Sequence, residues 1–164
     1  MFPPRLIVVP VDFGPASRTA LALATHFARV TNAELVVLHV FALPPGGLGD
    51  VAARMSREAS ARIISDAREG VAAMIASLDR AGVRPRVVLE EGDPRTAIGE
   101  LAAREHADLV VLGTHAREGL ARLLIGSTAE AVLRTSPVPV LTVRATGSAA
   151  PAAETASTPS AVST

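Results

Sequence analysis

Three short segments of the chain bring together residue types that could hold a phosphorylated ligand. The first is Pro10-Val11-Asp12-Phe13, the second runs from Gly113-Thr114-His115-Ala116 to Arg117-Glu118-Gly119-Leu120, and the third is Gly126-Ser127-Thr128. A glycine at the end of a strand lets the backbone turn and approach a ligand. Gly126-Ser127-Thr128, opening a helical segment, would offer free N–H groups and two hydroxyls, which suits phosphate. Asp12 could accept hydrogen bonds from a ribose hydroxyl or an adenine amino group, with Val11 and Val40 walling the base. Asp12 is equally suited to capping the helix that follows it, and Ser127 and Thr128 serve as well for caps as for ligand donors. His39 lies in an apolar run and reads as a hydrogen-bonded core histidine. His26 and His106 sit on helical faces without a partner at metal spacing, and His115 belongs to a solvated loop. Arg117 and Arg122 flank that loop, but two arginines among sixteen do not single out a phosphate clamp.

Other chemistry is missing from the sequence. All sixteen basic residues are arginine, so there is no Walker-A lysine, no Schiff-base lysine and no lysine general base. With no cysteine there is no disulfide framework, thiolate nucleophile or Cys-type zinc site. No G-x-G-x-x-G follows the first apolar segment, no G-x-x-x-x-G-K-[ST] occurs, and no G-x-S-x-G elbow supplies a nucleophile. No catalytic residue and no metal ligand is assigned. Sixteen acidic residues cancel the sixteen basic ones, so nothing draws the chain generally to nucleic acid or to anionic lipid. The apolar run Leu6–Val9 is cut by Pro10 and Asp12, too short for a signal peptide, and no window is long and apolar enough for a membrane helix. The expectation is a soluble, cytoplasmic protein.

Five elements must position the three segments. Arg5–Val11, Ala33–Phe41, Arg84–Glu90, Asp108–Leu112 and Val138–Val143 are short, rich in Val, Leu and Ile, and bounded by turn residues. Several are apolar at consecutive positions, as in Leu109-Val110-Val111-Leu112, which predicts parallel strands buried on both faces. Between them, helical spacing predicts Ala16–Val30, a long helix from about Asp50 to Ala81, Pro94–His106 and Ser127–Arg134. Gly82 reads as the residue closing the long helix, and Asp93-Pro94 as an N-cap followed by proline. The order β-α-β-α-β-α-β-α-β specifies an α/β, doubly wound fold with helices on both faces. At 164 residues there is chain for one such domain, over residues 1–145, and 49% apolar composition with 2% aromatics makes its core aliphatic. The Pro- and Gly-rich stretch 42–50 is expected to be a mobile loop, and the Ala/Ser/Thr/Pro-rich residues 146–164 a disordered tail.

The words around these segments resemble the universal stress protein family, whose glycine motif is Gly, two residues, Gly, nine residues, then Gly-Ser or Gly-Thr. Here it reads Gly113, two residues, Ala116, nine residues, Gly126-Ser127. Val9-Pro10-Val11-Asp12, Gly92-Asp93-Pro94, Ala107 to His115 and Ser136-Pro137-Val138-Pro139-Val140-Leu141 are similar to the family's other words, in its order, so that the resemblance spans about residues 4–144. It implies a five-stranded parallel sheet of order 3-2-1-4-5, Rossmann-like and similar to the adenine nucleotide α-hydrolases. It implies ATP, with Mg²⁺ or Mn²⁺, contacted at adenine and ribose by Pro10, Val11, Asp12 and Val40 and at the phosphates by Gly113, Thr114, Ala116, Gly126, Ser127 and Thr128. Ala116 departs from the motif: at a positive φ it would cost about 1 kcal/mol, and its methyl would crowd the phosphate. The function implied is an ATP-binding regulator of the stress response without strong catalysis. The alternative is a dimeric interaction module that binds no nucleotide, and a catalytic relative of the nucleotide α-hydrolases stands further off. In either of the first two readings, the apolar edge strand with Val138, Val140, Leu141 and Val143 is expected to pair with a second copy.

Overall fold

The computed structural model describes residues 3–44, 50–76, 78, 82–114 and 126–145. Nine elements alternate along the chain: β1 (Leu6–Pro10), α1 (Pro15–Thr31), β2 (Glu34–Phe41), α2 (Asp50–Ile75), β3 (Arg86–Glu91), α3 (Pro94–Arg104), β4 (Leu109–Thr114), α4 (Ser127–Thr135) and β5 (Val140–Arg144). The strands form one sheet of order β3-β2-β1-β4-β5, and every pairing is parallel. This is the doubly wound architecture that the sequence predicts.

The consecutive apolar residues are needed because both faces are covered. Ile7, Val9, Leu35, Val37, Leu109 and Val111 point to one side, where α1 and α2 pack with Leu21, Ala24, Val71 and Met74. Val8, Val36, Leu38, Val110 and Leu112 point to the other, against Ile98 and Leu101 of α3 and Val132 of α4. Successive side chains of a strand alternate between faces, so central strands with two covered faces must be apolar throughout. Ile7, Val8 and Val9 are accordingly fully buried.

Helix ends follow backbone chemistry. Asp93 caps α3, its carboxylate accepting the Arg95 N–H, with Pro94 at the first helical position. His106 stands at φ 53° beyond the end of α3, while its N–H donates to Ala103 and that of Ala107 to Ala102. Those are the two bonds of a Schellman closure, with histidine where glycine is usual. His106 is thus a helix-terminating residue, a role its helical spacing did not suggest.

The long second helix is the main revision to the predicted elements. Helix α2 stops at Ile75, short of Ala81, where a tighter Leu78 N–H to Ile75 C=O bond turns the chain. The turn delivers Leu78 and Val83 to the core, so burial overrides a local sequence that carries no breaker before Gly82. Gly82, at φ +73°, closes the turn that follows α2 as the sequence predicts of a left-handed glycine, the Val83 N–H donating across it to Leu78 C=O at 3.3 Å. Of the expected mobile loop, residues 45–49 lie outside the described residues, as does the whole of 146–164.

Asp108 ties the start of β4 to that of β1. Its Oδ2 accepts the N–H groups of Arg5 at 2.8 Å and Leu6 at 3.1 Å, and its own N–H donates to Leu6 C=O. These backbone donors hold its carboxyl below the ordinary carboxylate range. The unfolded chain then binds a proton more readily than the folded one, so this contribution is complete above about pH 5 and is lost as pH falls through the depressed folded-state pKa. Urea midpoints measured from pH 7 down to pH 3 are expected to fall less steeply for Asp108→Asn, which keeps an acceptor oxygen but cannot titrate.

Candidate functional site

The carboxyl ends of β1, β2 and β4 meet at one edge of the sheet, where the sheet reverses its winding direction at β1 and β4. In open α/β sheets this is where ligands lie. Past β1 the chain forms a compact turn. Asp12 Oδ1 accepts the Gly14 N–H at 3.0 Å, Ser17 Oγ donates to Gly14 C=O, and the Asp12 N–H points to Ser17 Oγ at 3.4 Å. Asp12 is therefore not the helix cap, a position taken by Gly14. It folds the turn before the cap and leaves its carboxylate exposed at the mouth of the crevice.

Pro10 and Val11 are buried beneath this turn. Val11 packs among the α1 and α2 residues, whereas Val40 packs against the α3 and α4 cluster. The two side chains lie on opposite faces of the sheet and cannot wall one base between them.

Gly113 also has a different setting from the one predicted. It lies within β4, paired with Val143, and does not follow the strand. A Cβ on it would come within 2.5 Å of the Ala16 carbonyl carbon and 2.6 Å of the Ser17 nitrogen. The glycine lets the first turn of α1 lie directly on β4. Thr114 ends the strand buried, its hydroxyl reaching Val143 C=O at 3.4 Å. Ala116, His115, Arg117 and Arg122 lie outside the described residues.

On the far side of that segment, Gly126 is the N-cap of α4 at φ +80° and ψ 141°, a combination open essentially to glycine alone. No side chain caps this helix. Ser127 and Thr128 are its first helical residues, so they are not N-caps, and the first intrahelical bond is Glu130 N–H to Gly126 C=O. The N–H groups of Ser127, Thr128 and Ala129 thus have no acceptor within the helix, and they carry the positive end of its dipole. Among the described residues no group of three or more His, Asp or Glu side chains could hold a metal ion, and no helix is long and apolar enough to cross a membrane.

Three residues at this edge escaped the sequence reading. Ser17 is buried and ties the Asp12 turn to α1. Phe13 adopts φ 66°, and its ring lies 4.3 Å from that of His39. His39 in turn bonds through Nδ1 to Val11 C=O at 2.8 Å, as expected of a structural histidine. Gly70, within the last two turns of α2, faces the tip of the Phe13 ring. A glycine in a helix interior was the available signal for that contact.

The Universal stress protein family profile matches residues 4–144. Universal stress protein MJ0531 of Methanocaldococcus jannaschii is 31% identical over 146 residues, covering 85% of this chain and 82% of its own. A universal stress protein of Thermus aquaticus is 30% identical, covering 85% of this chain and 98% of its own. Among solved structures, that of MJ0577 superposes with a TM-score of 0.72 at 24% identity, covering 88% of this chain and 98% of its own. A universal stress protein solved in complex with cAMP gives 0.56 at 24% identity, covering 87% and 98%. With the sheet order and the strand-end words in agreement, this chain belongs to the universal stress protein family.

Proposed function

We propose that the chain is a nucleotide-binding regulator of the stress response, cytoplasmic and homodimeric, that takes ATP with Mg²⁺ or Mn²⁺ at the strand-end crevice. The observation that carries this reading is the placement of an exposed carboxylate past the end of β1 and a side-chain-uncapped helix start after the adjacent β4. The Asp12 carboxylate suits a ribose hydroxyl or an adenine amino group. The backbone of Pro10 and Val11 and the side chain of Val40 suit the base. Gly113 by its backbone, Thr114, Ala116, and the donors of Gly126, Ser127 and Thr128 suit the phosphates. That a family relative has been solved with cAMP supports an adenine nucleotide as the class of ligand.

Binding in this reading is a switch and not the start of a reaction. The residues named supply anion donors and one carboxylate, and the chain has no lysine. Titration calorimetry with Mg·ATP is expected to give a 1:1 isotherm, weakened about tenfold by Asp12→Ala through loss of a charged acceptor. It should tighten in Ala116→Gly, without sustained phosphate release. No heat and no thermal shift at millimolar Mg·ATP, in both the parent and the glycine variant, would leave the dimeric interaction module as the function. Steady-state hydrolysis that survives further purification and disappears in Asp12→Ala would make the protein an enzyme.

A further inference from the structure

Two neighbouring residues each break a local rule, and they break it against each other. Phe13 holds φ 66°, a region that bulky side chains rarely occupy. Gly70 occupies the interior of α2, where glycine disfavours the helix relative to alanine. A Cβ on Gly70 would lie 2.8 Å from Phe13 Cζ and 2.9 Å from Cε1. The ring has little room to swing aside, because the imidazole of His39 lies against it with centroids 4.3 Å apart. That imidazole is itself tied to Val11 C=O. Phe13 is half-buried against the cluster that includes Val71 and Met74 of α2.

We propose that Phe13 is a positioning residue for the binding crevice and that Gly70 is its socket. The ring spans from the Asp12–Gly14 turn to α2 and fixes that turn relative to the helix. Backbone strain at Phe13 and lost helix propensity at Gly70 are tolerated because they allow this contact, as coincident local violations at functional positions commonly are. Asp12 and Gly14 flank Phe13, so any displacement of the ring moves the carboxylate offered to the ligand. The inference deepens the nucleotide reading through its affinity arm, while its structural arm stands without nucleotide.

The test is a double-substitution cycle read by thermal unfolding and by exchange of backbone amides. In the parent protein, Gly70→Ala is expected to lower Tm by about 3 °C or more, although alanine is the better helix former. In the Phe13→Ala background the same substitution is expected to raise Tm, because the obstruction has gone and only propensity remains. The Gly14 amide, held by Asp12, should exchange several-fold faster in Gly70→Ala, and Mg·ATP should bind about tenfold more weakly. A Tm change of the same sign in both backgrounds, or an unchanged Gly14 amide, overturns the socket. If the parent protein binds no ATP, the nucleotide reading fails, while the thermal cycle and the Gly14 amide still decide the role of Phe13.

Discussion

Gly113→Ala is expected to destabilise the ligand-free protein by about 3 kcal/mol, lowering Tm by roughly 10 °C. The added methyl would meet the backbone of Ala16 and Ser17 at 2.5 to 2.6 Å. A flexible side chain could turn away from such a contact, but a helix backbone must move as a unit. To accommodate the methyl, the first turn of α1 has to lift off β4, opening the cluster around Ala20, Leu21 and Val111. The same movement carries Ser17 with its N-cap Gly14 away from the Asp12 N–H, so the turn at the crevice loosens with the core. If Gly113 served only the approach of a ligand, alanine would leave the ligand-free Tm unchanged and weaken binding alone. Gly126 makes a useful contrast, since a Cβ there meets no atom of the described residues within 4 Å and Gly126→Ala brings mainly the strain of φ +80°. Scanning calorimetry of the two ligand-free variants separates these cases, with the larger loss expected at Gly113.

The unequal legibility of the sequence follows from where the deciding interactions lie. Central strands could be read because burial on two faces demands unbroken runs such as Leu35-Val36-Val37-Leu38, and the start of α3 because Asp93-Pro94 acts within one turn. Leu78 defeated local reading, since the turn it joins is set by a core contact distant in sequence. The start of β5 moved from Val138 to Val140 for a nearer reason. Ser136 Oγ accepts the Val138 N–H and donates to Val138 C=O, holding Val138 in a turn before the strand. At the site, the words at Asp12 and Gly126 lie beyond the carboxyl ends of β1 and β4. Side-chain direction was not legible: whether Val11 and Val40 share a face, or what lies above Gly113, depends on which helix covers which side of the sheet.

Thr142→Pro is expected to convert a dimer into a monomer, raising the dissociation constant at least about a hundredfold while leaving the fold intact. Among the described residues β3 and β5 are the edge strands of the sheet, and their chemistry differs. At β3, Arg86 bridges Glu34 and Glu105, and Glu90 pairs with Arg104, so charged side chains guard the edge against strand addition. At β5, Val140, Leu141 and Val143 are half-buried apolar residues, and Arg144 closes the strand. Pro139 C=O accepts the Val110 N–H, directing the polar groups of residue 139 towards β4. Backbone groups alternate along a parallel strand, so those of Val140, Thr142 and Arg144 face the open edge. Neither Pro139 nor its missing N–H therefore interrupts an antiparallel ladder built by a second copy about Thr142. A charge at Leu141 would be a poor probe, because that side chain packs against the α1 cluster and its loss would unsettle the core. Thr142 is exposed, and proline there removes an outward N–H at the centre of the two-fold contact. Light scattering at tens of micromolar is expected to give a dimer for the parent and a monomer with unchanged far-ultraviolet dichroism for the variant. A monomeric parent, or a variant that dimerises as tightly, would move the assembly surface away from β5.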